Sequence, residues 1–539
     1  VEDEDSTLEC GTLEVPLVPG ETDGEMIDMA VIRMPSTGTE FERIGSLVIN
    51  PGGPGGSGVD TVVGMSEDFP TELSDRFDLV GFDPRGVGYS TEFRCEIDDD
   101  ALDGADEDAS FDAYLNYAQA SYDACVDQNP ELVKHMSTVD VANDLDLLRE
   151  SLGDDKLNYL GFSYGTQIGS VYATLFPDKA RALVLDSSVM PNPDPIQEME
   201  EQGAGFQLAF DRFVDACAES DSCPMGSDPR AEVDAILASF DDGPLTYTQV
   251  DGTEVEMDES DFIGAVSGSL YNTDNWGTLA LALSDFTDGG AELLVGTAES
   301  EEQPIDDDPI DVEDLEAESD DDGDPDERDD YDNSTDVLVA VNCSDATRRL
   351  DAAEVSEVAD KLVADQPLFG LSSAQQIGSC SVWPAPAEPV PTVTGKGAPP
   401  ILVVANVGDP ATPYPWAQRM ADTFEGARLL TYEGDGHIAF QRGGACVDDA
   451  IVDYLVNLEL PAEGTSCPIQ DSERGFDTQV DGFLASVAED GADVEQLQCL
   501  YDEMTTAVTP VQLEMLFVSE DDEGIAEVYQ TAASPCGID

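Results

Sequence analysis

The chain has 539 residues, of which 118 are acidic and 21 are Lys or Arg, so its formal net charge at pH 7 is −97. Such a charge repels nucleic acids and anionic membranes, and we expect neither as a partner. Hydrophobic residues make up 41% of the chain, which excludes wholesale disorder, and the length allows more than one packed domain.

The charge pattern favours adaptation to high salt over the alternative of a merely acidic secreted protein. Five lysines occur in the whole chain, so lysine is depleted while acid is in excess. Eleven cysteines indicate an oxidising compartment. Because there is no transmembrane run and the chain begins with Val1 rather than Met, we expect a processed, secreted or cell-surface protein from a saline environment.

Ten cysteines fall into local pairs along the chain and are disulfide candidates, although the sequence alone does not fix their connectivity. Cys10 is left over, either free or paired with a lost partner. There is no Cys-x-x-Cys motif and no Cys/His cluster, and the chain has two histidines, so we predict no metal site and no cofactor. The pairs are Cys95 with Cys125, Cys217 with Cys223, Cys343 with Cys380, Cys446 with Cys467, and Cys499 with Cys536.

Apolar runs that alternate with amphipathic stretches predict an α/β fold with a mostly parallel, doubly wound sheet. In such a sheet, ligands bind at the carboxyl ends of the strands. The predicted strands are 12–17, 26–34, 46–50, 77–83, 156–162, 181–187, 401–406 and 428–432, and the predicted helices are 98–130, 138–152, 164–176 and 446–458.

A glycine-rich loop, residues 51–58, follows the third predicted strand. Its backbone N–H groups are unobstructed by side chains, which is typical of one half of an oxyanion hole. Pro54 has no N–H, so we choose Gly53 as the donor, with the N–H of Tyr164 as the other half. A phosphate-binding loop is the alternative, but the Gly-Lys-Ser/Thr ending of that motif is missing.

A second loop, residues 83–90, follows the strand at 77–83. Asp83 and Arg85 lie in it and could act in catalysis. We predict instead that they form an ion pair that braces the turn beside the site.

The main motif is a serine between two glycines, Gly161-Phe162-Ser163-Tyr164-Gly165, at a junction from strand to helix. This is the pattern of a nucleophile elbow, in which the sharp turn requires small residues two positions before and after the serine. The turn also puts the hydroxyl at a helix N-terminus, where a developing anion is stabilised.

A serine nucleophile needs a general base, and the base needs an acid to orient it. Of the two histidines, His437 follows the last predicted strand in a glycine-rich turn, whereas His135 precedes a helix and has the character of a surface or satisfied histidine. The acid should end the strand before the base, which selects Asp409. Asp186 is its rival, and Asp435 is too close in sequence to His437. The order Ser163, Asp409, His437 is that of α/β-hydrolases.

Strand–helix alternation stops after residue 188 and resumes at residue 400, which predicts a large, mainly helical cap insertion. Within it, residues 301–336 are an acidic low-complexity loop. A calcium loop at Asp320, Asp322 and Asp324 is the alternative, but its glycine and terminal acid are misplaced. The predicted division is a first part of the hydrolase core at 1–189, the cap insertion at 190–395, a second part of the core at 396–469, and a small helical extension at 470–539.

The motifs at 50–58, 83–90 and 161–166 together resemble those of the secreted tripeptidyl aminopeptidase-like α/β-hydrolases of actinobacteria, relatives of prolyl aminopeptidases. Residues 409–413 and 446–467 also match, and the resemblance covers residues 8–470. It implies Ser163, Asp409 and His437 as a catalytic triad, and Gly53 with Tyr164 as the oxyanion hole. The chain departs from the family in having Cys10 where relatives often carry a cysteine pair, in its acidic insertion, and in its C-terminal extension.

We weigh three functions: an exopeptidase acting on free N-termini, an esterase or other acyl hydrolase with the same triad, and a non-catalytic binding protein, which an intact triad disfavours. An exopeptidase needs carboxylates for the substrate ammonium, and Glu198, Glu200 and Glu201 are placed for this at the start of the cap. The alternative is a solvated acidic helix face. The extension carries no catalytic constellation, so we expect a structural or anchoring role, and truncation after Ile469 should leave activity on small substrates largely intact.

Overall fold

The fold is described from a computed structural model of the whole chain. The structure describes residues 8–39, 41–66, 69–97, 111–220, 222–240, 243–248, 253–286, 290–299, 331–384, 390–469, 494–518 and 522–533, together with single residues within 476–488 and 535–538. Most of the acidic loop at 301–336 and the calcium alternative within it lie outside the described residues.

The chain divides into two compact units. The first contains Val1–Gly203, Pro304–Glu433 and Ile438–Pro468, and the second contains Ala204–Gln303, Gly434–His437 and Ile469–Asp539.

A nine-stranded sheet has the order β1-β2-β4-β3-β5-β6-β9-β10-β11. The pairs from β4 through β3, β5 and β6 to β9 are parallel, while β2 pairs antiparallel with β1 and with β4. This confirms the predicted mostly parallel sheet. The strands are β1 (Glu9–Pro16), β2 (Met26–Met34), β3 (Gly45–Asn50), β4 (Phe77–Phe82), β5 (Leu157–Phe162), β6 (Ala180–Asp186), β7 (Leu245–Thr248), β8 (Glu254–Met257), β9 (Leu402–Gly408), β10 (Arg428–Asp435) and β11 (Ser466–Cys467).

The central strands are buried on both faces because their apolar residues are continuous. In β3, Val48 packs into one hydrophobic cluster, and its neighbours Leu47 and Ile49 pack into another. Each cluster is covered by helices, which is the double winding predicted from the sequence. The described helices are α1 (Gly58–Met65), α2 (Thr71–Ser74), α3 (Phe111–Gln128), α4 (Thr138–Ser151), α5 (Tyr164–Leu175), α6 (Pro195–Glu219), α7 (Pro229–Ser239), α8 (Glu259–Ser269), α9 (Trp276–Ser284), α10 (Gly290–Glu299), α11 (Ser334–Asp345), α12 (Ala352–Asp365), α13 (Gly370–Ser381), α14 (Tyr414–Thr423), α15 (Gly444–Asn457), α16 (Val494–Ala507), α17 (Pro510–Val518) and α18 (Asp522–Ala533).

The second unit is mainly helical, but it also contains an antiparallel hairpin of β7 and β8. The sequence predicted a mainly helical insertion here and did not single out this hairpin. The hairpin residues Leu245 and Tyr247 alternate with threonines, and Val255 and Met257 alternate with glutamates. This period-two pattern was available in the sequence.

The described part of the C-terminal extension is helical, as the sequence predicted for residues 470–539. Thr509 caps α17, because its hydroxyl accepts the N–H of Gln512 at 3.2 Å and the Gln512 side chain accepts the N–H of Thr509 at 3.0 Å. Within the second unit, the extension packs on the segment at 204–303: Glu514 accepts the Thr278 hydroxyl at 2.8 Å, and the ring of Phe476 contacts that of Trp276. This packing gives the extension a structural role within the second unit.

The structure pairs the same ten cysteines as the sequence, in five disulfides that each join two residues of one unit. In the part of the chain that the structure describes, none of the helices has the length and apolar character needed to cross a membrane.

Candidate active site

Ser163 lies on the turn between β5 and α5, with φ +50° and ψ −123°. A non-glycine residue in such a backbone conformation costs about 1–3 kcal/mol, which is typical of functional sites. A Cβ added to Gly161 would lie 2.6 Å from the carbonyl oxygen of Gly165, and one added to Gly165 would lie 2.7 Å from that of Asn50. The turn therefore excludes bulk at both positions, as the elbow motif predicts. The Ser163 side chain is partly exposed.

The glycine-rich loop lies directly against this elbow. A Cβ added to Gly52 would be 2.9 Å from the Cβ of Ser163 and 3.0 Å from the backbone nitrogen of Tyr164. The Gly52 N–H donates to the side chain of Asn50 at 3.1 Å. Because that N–H is already engaged, Gly53 stays the predicted donor from this loop, beside the N–H of Tyr164 at the start of α5.

Asp83 and Arg85 do not pair with each other, so the predicted turn-bracing ion pair is wrong. The Arg85 guanidinium instead binds Asp144 on α4 through two bonds of 2.8 and 2.9 Å. Asp83 accepts the hydroxyl of Ser57 at 2.7 Å and the N–H of Tyr89 at 2.8 Å. Arg85 thus braces the loop through a residue 59 positions away, whereas Asp83 binds Ser57 of the glycine-rich loop and Tyr89 of its own loop. Burial raises the pKa of Asp83 to about 6, against the effect of these donors.

Asp409 is buried and follows β9 directly. Its carboxylate accepts the N–H groups of Ala411 at 3.0 Å and Thr412 at 2.8 Å, and also the Thr412 hydroxyl at 2.9 Å. The turn after β9 therefore fixes this carboxylate at the carboxyl end of a strand. The sequence predicted Asp409 at the end of this strand but did not indicate Thr412 as its hydrogen-bond partner.

The rival acid, Asp186, is fully buried and contacts the chain just after His437. It accepts the N–H of Phe440 at 2.8 Å and that of Ala439 at 3.1 Å. The neighbouring Ser187 hydroxyl accepts the N–H of Ile438 at 2.8 Å. These bonds anchor residues 438–440 in the first unit.

His437 is buried and belongs to the second unit, where its N–H donates to the carbonyl of Tyr271 at 2.6 Å. Asp435, two residues before it, forms an ion pair with Arg212. The other histidine, His135, is partly exposed and lies 3.8 Å from Asp140, as expected of a surface histidine.

The three glutamates proposed for the substrate ammonium have different environments. Glu200 forms an ion pair with Lys361, and Glu201 is bound by Arg419 through two bonds of 2.6 and 2.9 Å. The bond from Arg419 lowers the pKa of Glu201. Glu198 forms no ion pair with any basic side chain among the described residues. The Glu198 residue is partly exposed, but protein atoms surround its carboxyl group. Burial is the main cause that raises the pKa of this carboxyl to about 7, and repulsion from Asp345 is the second.

Asp345, at the end of α11, belongs to a buried network that the sequence did not reveal. It accepts the N–H of Thr138 at 2.9 Å, the hydroxyl of Thr138, and the Gln167 amide at 2.7 Å. The Thr138 hydroxyl lies 2.7 Å from that of Tyr164, the residue after the nucleophile. Burial raises the pKa of Asp345 to about 7 despite these donors. Because Thr138 and Asp345 are 207 residues apart, no local pattern could have joined them.

No group of three or more His, Cys, Asp or Glu residues able to bind a metal ion occurs among the residues that the structure describes. An elbow serine with adjacent backbone donors is suited to acyl transfer.

Comparisons with known proteins agree with this geometry. A family model described as alpha/beta hydrolase fold matches residues 45–251, and one described as TAP-like protein matches residues 366–467. Serine protease Hip1 of Mycobacterium tuberculosis is 35% identical over 476 residues, which cover 85% of this chain and 87% of that protein. Tripeptidyl aminopeptidase of Streptomyces lividans is 31% identical over 487 residues, which cover 85% of this chain and 83% of that protein. Carboxylesterase B of M. tuberculosis is 35% identical over 492 residues, covering 86% of each chain.

These relatives are more than 30% identical to this chain over most of both chains, and the elbow and the parallel sheet are typical of α/β-hydrolases. The chain therefore belongs to the TAP-like family of α/β-hydrolases and is a serine hydrolase.

Proposed function

We propose that the protein is a secreted serine exopeptidase that hydrolyses peptide bonds near free N-termini, in the manner of a tripeptidyl or prolyl aminopeptidase. Ser163 is the nucleophile, His437 the general base and Asp409 the acid that orients it. The N–H groups of Gly53 and Tyr164 stabilise the oxyanion. The names of two relatives, a serine protease and a tripeptidyl aminopeptidase, support peptides as substrates.

In this proposal, the Ser163 hydroxyl attacks the scissile carbonyl while His437 accepts its proton. The oxyanion of the tetrahedral intermediate binds the two backbone donors. His437 then gives the proton to the leaving amine, and an acyl-enzyme remains. Water, deprotonated by His437, hydrolyses the acyl-enzyme and restores the serine. Asp409 fixes the tautomer of His437 and stabilises its charged form.

The observation that carries the specificity for free N-termini is the environment of Glu198. Burial of a carboxylate without a cation is unfavourable, and a substrate ammonium would supply that cation. Asp345 lies near enough to raise the pKa of Glu198, and it is connected by Thr138 to Tyr164 of the elbow. Glu200 and Glu201 already have basic partners, so we assign the ammonium to Glu198 rather than to all three.

An esterase with the same triad is the second candidate, because one relative of equal identity is named carboxylesterase B. A matched panel separates the two: free tripeptide anilides, the same peptides with blocked N-termini, and short acyl esters. We expect turnover of the free peptides and a large loss on blocking. Equal hydrolysis of blocked peptides or simple esters would reject the exopeptidase.

The panel needs a measure of the nucleophile that does not depend on the substrate. A fluorophosphonate should label Ser163 in the wild type, and Ser163→Ala and His437→Ala should lose turnover by several orders of magnitude. Labelling of another serine would reject the triad. The five disulfides support an oxidising, extracellular compartment, and the net charge supports a saline one.

A further inference from the structure

The short loop that carries His437 is contacted by two separate elements of the second unit. The loop comprises Gly434–His437, at the end of β10. One element is α6, which contributes Arg212. The other is the turn after α8, which contributes Tyr271. Both contacts lie next to the proposed general base.

Tyr271 contacts His437 through backbone and side chain. Its carbonyl accepts the His437 N–H at 2.6 Å, and its ring lies 5.2 Å from the imidazole, centroid to centroid, at an interplanar angle of 80°. This is the edge-to-face arrangement that aromatic rings favour. The half-buried ring of Tyr271 limits rotation of the imidazole, and the ring of Phe206 packs on Tyr271 in turn, with 5.9 Å between the ring centroids.

The backbone of the loop is shaped to fit Tyr271. Gly436 has φ +83°, and a Cβ there would lie 2.9 Å from the Tyr271 carbonyl oxygen. A side chain at this position would thus strain the backbone and displace the carbonyl that binds His437. Glycine permits the close approach.

Arg212 fixes the other end of the loop through an ion pair with Asp435, whose side chain is 3% exposed. Because Asp435 pairs with Arg212 and lies only two residues before His437, we do not assign it as the acid of the triad. The loop therefore has one contact before His437 and two at His437 itself.

We propose that Tyr271 and Arg212 are positioning residues for the general base: they set the position and orientation of His437 for proton transfer. Neither needs to touch the substrate. The inference rests on the proposed function, because it requires His437 to be the base. Small displacements of a catalytic group can cost about a hundredfold in rate, so such contacts are expected to act on kcat rather than on KM.

The test compares Tyr271→Ala with Tyr271→Phe, because both variants keep the backbone carbonyl but only phenylalanine keeps the ring. We expect Tyr271→Ala to lower kcat by about 10- to 100-fold with little change in KM, and to slow labelling of Ser163 by a fluorophosphonate equally. Tyr271→Phe should restore both. Phe286→Ala is the matched control, since it removes a buried ring of the same unit that packs on Phe262, and it should leave kcat unchanged.

A spectroscopic readout separates positioning from general loosening. The chain has two histidines, so histidine-labelled protein gives two imidazole signals, and His135→Gln assigns them. Tyr271→Ala and Arg212→Gln should each shift the His437 signal and leave that of His135 in place. If Tyr271→Ala does not fold, the kcat and the His437 signal of Arg212→Gln test the inference.

Wild-type kcat and an unchanged His437 signal in the Tyr271→Ala and Arg212→Gln variants would overturn the inference, as would an equal loss of kcat in Phe286→Ala. The proposed function fails separately, if Ser163→Ala or His437→Ala keeps activity. If those two variants are inactive while Tyr271→Ala and Arg212→Gln behave as wild type, the inference alone is wrong.

Discussion

The carboxylate of Asp186 accepts the backbone N–H of Phe440 at 2.8 Å, three residues beyond His437. Asp186 ends β6, the strand between β5 and β9 in the sheet, which makes it the rival of Asp409 for the acid of the triad. Its observed bonds go to the backbone of the chain after His437, whereas Asp409 is fixed by its own turn. The two carboxylates thus have separate tasks in the proposed site.

The first prediction follows from this difference. Asp409→Asn should keep the fold but lower kcat by about 10⁴, because the amide favours the wrong tautomer of His437. Asp186→Asn should chiefly lower the melting temperature, because the amide N–H₂ opposes the N–H groups of residues 439 and 440. Both variants are measured by kcat/KM and by thermal unfolding. A crippled but stable Asp186→Asn beside an active Asp409→Asn would exchange the two assignments.

The second prediction concerns Gly52. Gly52→Ala would put a methyl group 2.6 Å from the carbonyl oxygen of Phe162 and 2.9 Å from the Cβ of Ser163, at φ +106°. The loop must then move away from the elbow, and we expect kcat to fall by about 10²–10³, as on loss of an oxyanion donor. Gly11→Ala is the control, because nothing lies within 4 Å of the added Cβ. Unchanged kcat in folded Gly52→Ala would contradict the placement of the oxyanion hole.

Local chemistry made the elbow and the strands predictable from the sequence. Gly161 and Gly165 are demanded by contacts within a single turn, and the strand at residues 46–50 is demanded by burial on both faces. Each requirement acts over a few residues, so a short pattern records it. The same is true of the start of α17, where Thr509 caps the helix and Pro510 is its first residue.

Partners distant in sequence were not predictable in this way. Arg85 binds Asp144 rather than Asp83, although Asp83 is two residues away, because the fold brings α4 beneath the loop. Likewise, Asp345 joins Thr138 across 207 residues. The three adjacent glutamates differ in their partners for the same reason, and only the tertiary structure separates Glu198 from its neighbours.

The third prediction concerns the packing of the C-terminal extension. Glu514 is fully buried and accepts the Thr278 hydroxyl at 2.8 Å and the N–H of Val480 at 3.0 Å. Glu514→Ala leaves both buried donors without an acceptor. Each unsatisfied donor costs about 1–3 kcal/mol, so the free energy of unfolding should fall by that amount for each donor. Urea unfolding of Glu514→Ala is compared with that of Glu503→Ala, whose side chain is exposed. Equal stability of the two variants would contradict the packing.

The same contacts change the expectation for truncation after Ile469. Removal of the extension would expose the apolar surface of the segment at 204–303, so truncation should lower stability before it has any direct effect on catalysis. A truncated chain with the melting temperature of the full chain would contradict a structural role of the extension.

The fourth prediction concerns salt. With a net charge of −97, the folded chain repels itself, and the Debye length falls from about 10 Å at 0.1 M salt to about 3 Å at 1 M. We expect the melting temperature to rise with sodium chloride, and other screening electrolytes to give part of the same gain. A melting temperature that stays flat between low and molar salt would remove the proposal of a saline habitat.

The last prediction uses the pKa of Glu198, which burial raises from its ordinary value of 4.5 to about 7. A raised carboxyl pKa favours the neutral form in the folded state, so this stabilisation is present at low pH and is lost as the pH rises through about 7. Glu198→Gln keeps a neutral group at every pH. Its melting temperature should therefore exceed that of the wild type above pH 7 and approach it under acid conditions.

Substrate binding should show the opposite preference, because an ammonium group needs the ionised carboxylate. For free-amine peptides, the KM of the wild type should fall as the pH rises through about 7, and then rise as the substrate amine, with a pKa of about 7.7–8.0, loses its proton. Glu198→Gln should raise KM and abolish the fall, while Glu200→Gln, which loses an exposed ion pair with Lys361, should keep the wild-type profile. The measurement is KM and kcat against pH for one free tripeptide anilide with all three proteins. An unchanged KM profile in Glu198→Gln would remove Glu198 from the ammonium site, even if the triad is correct.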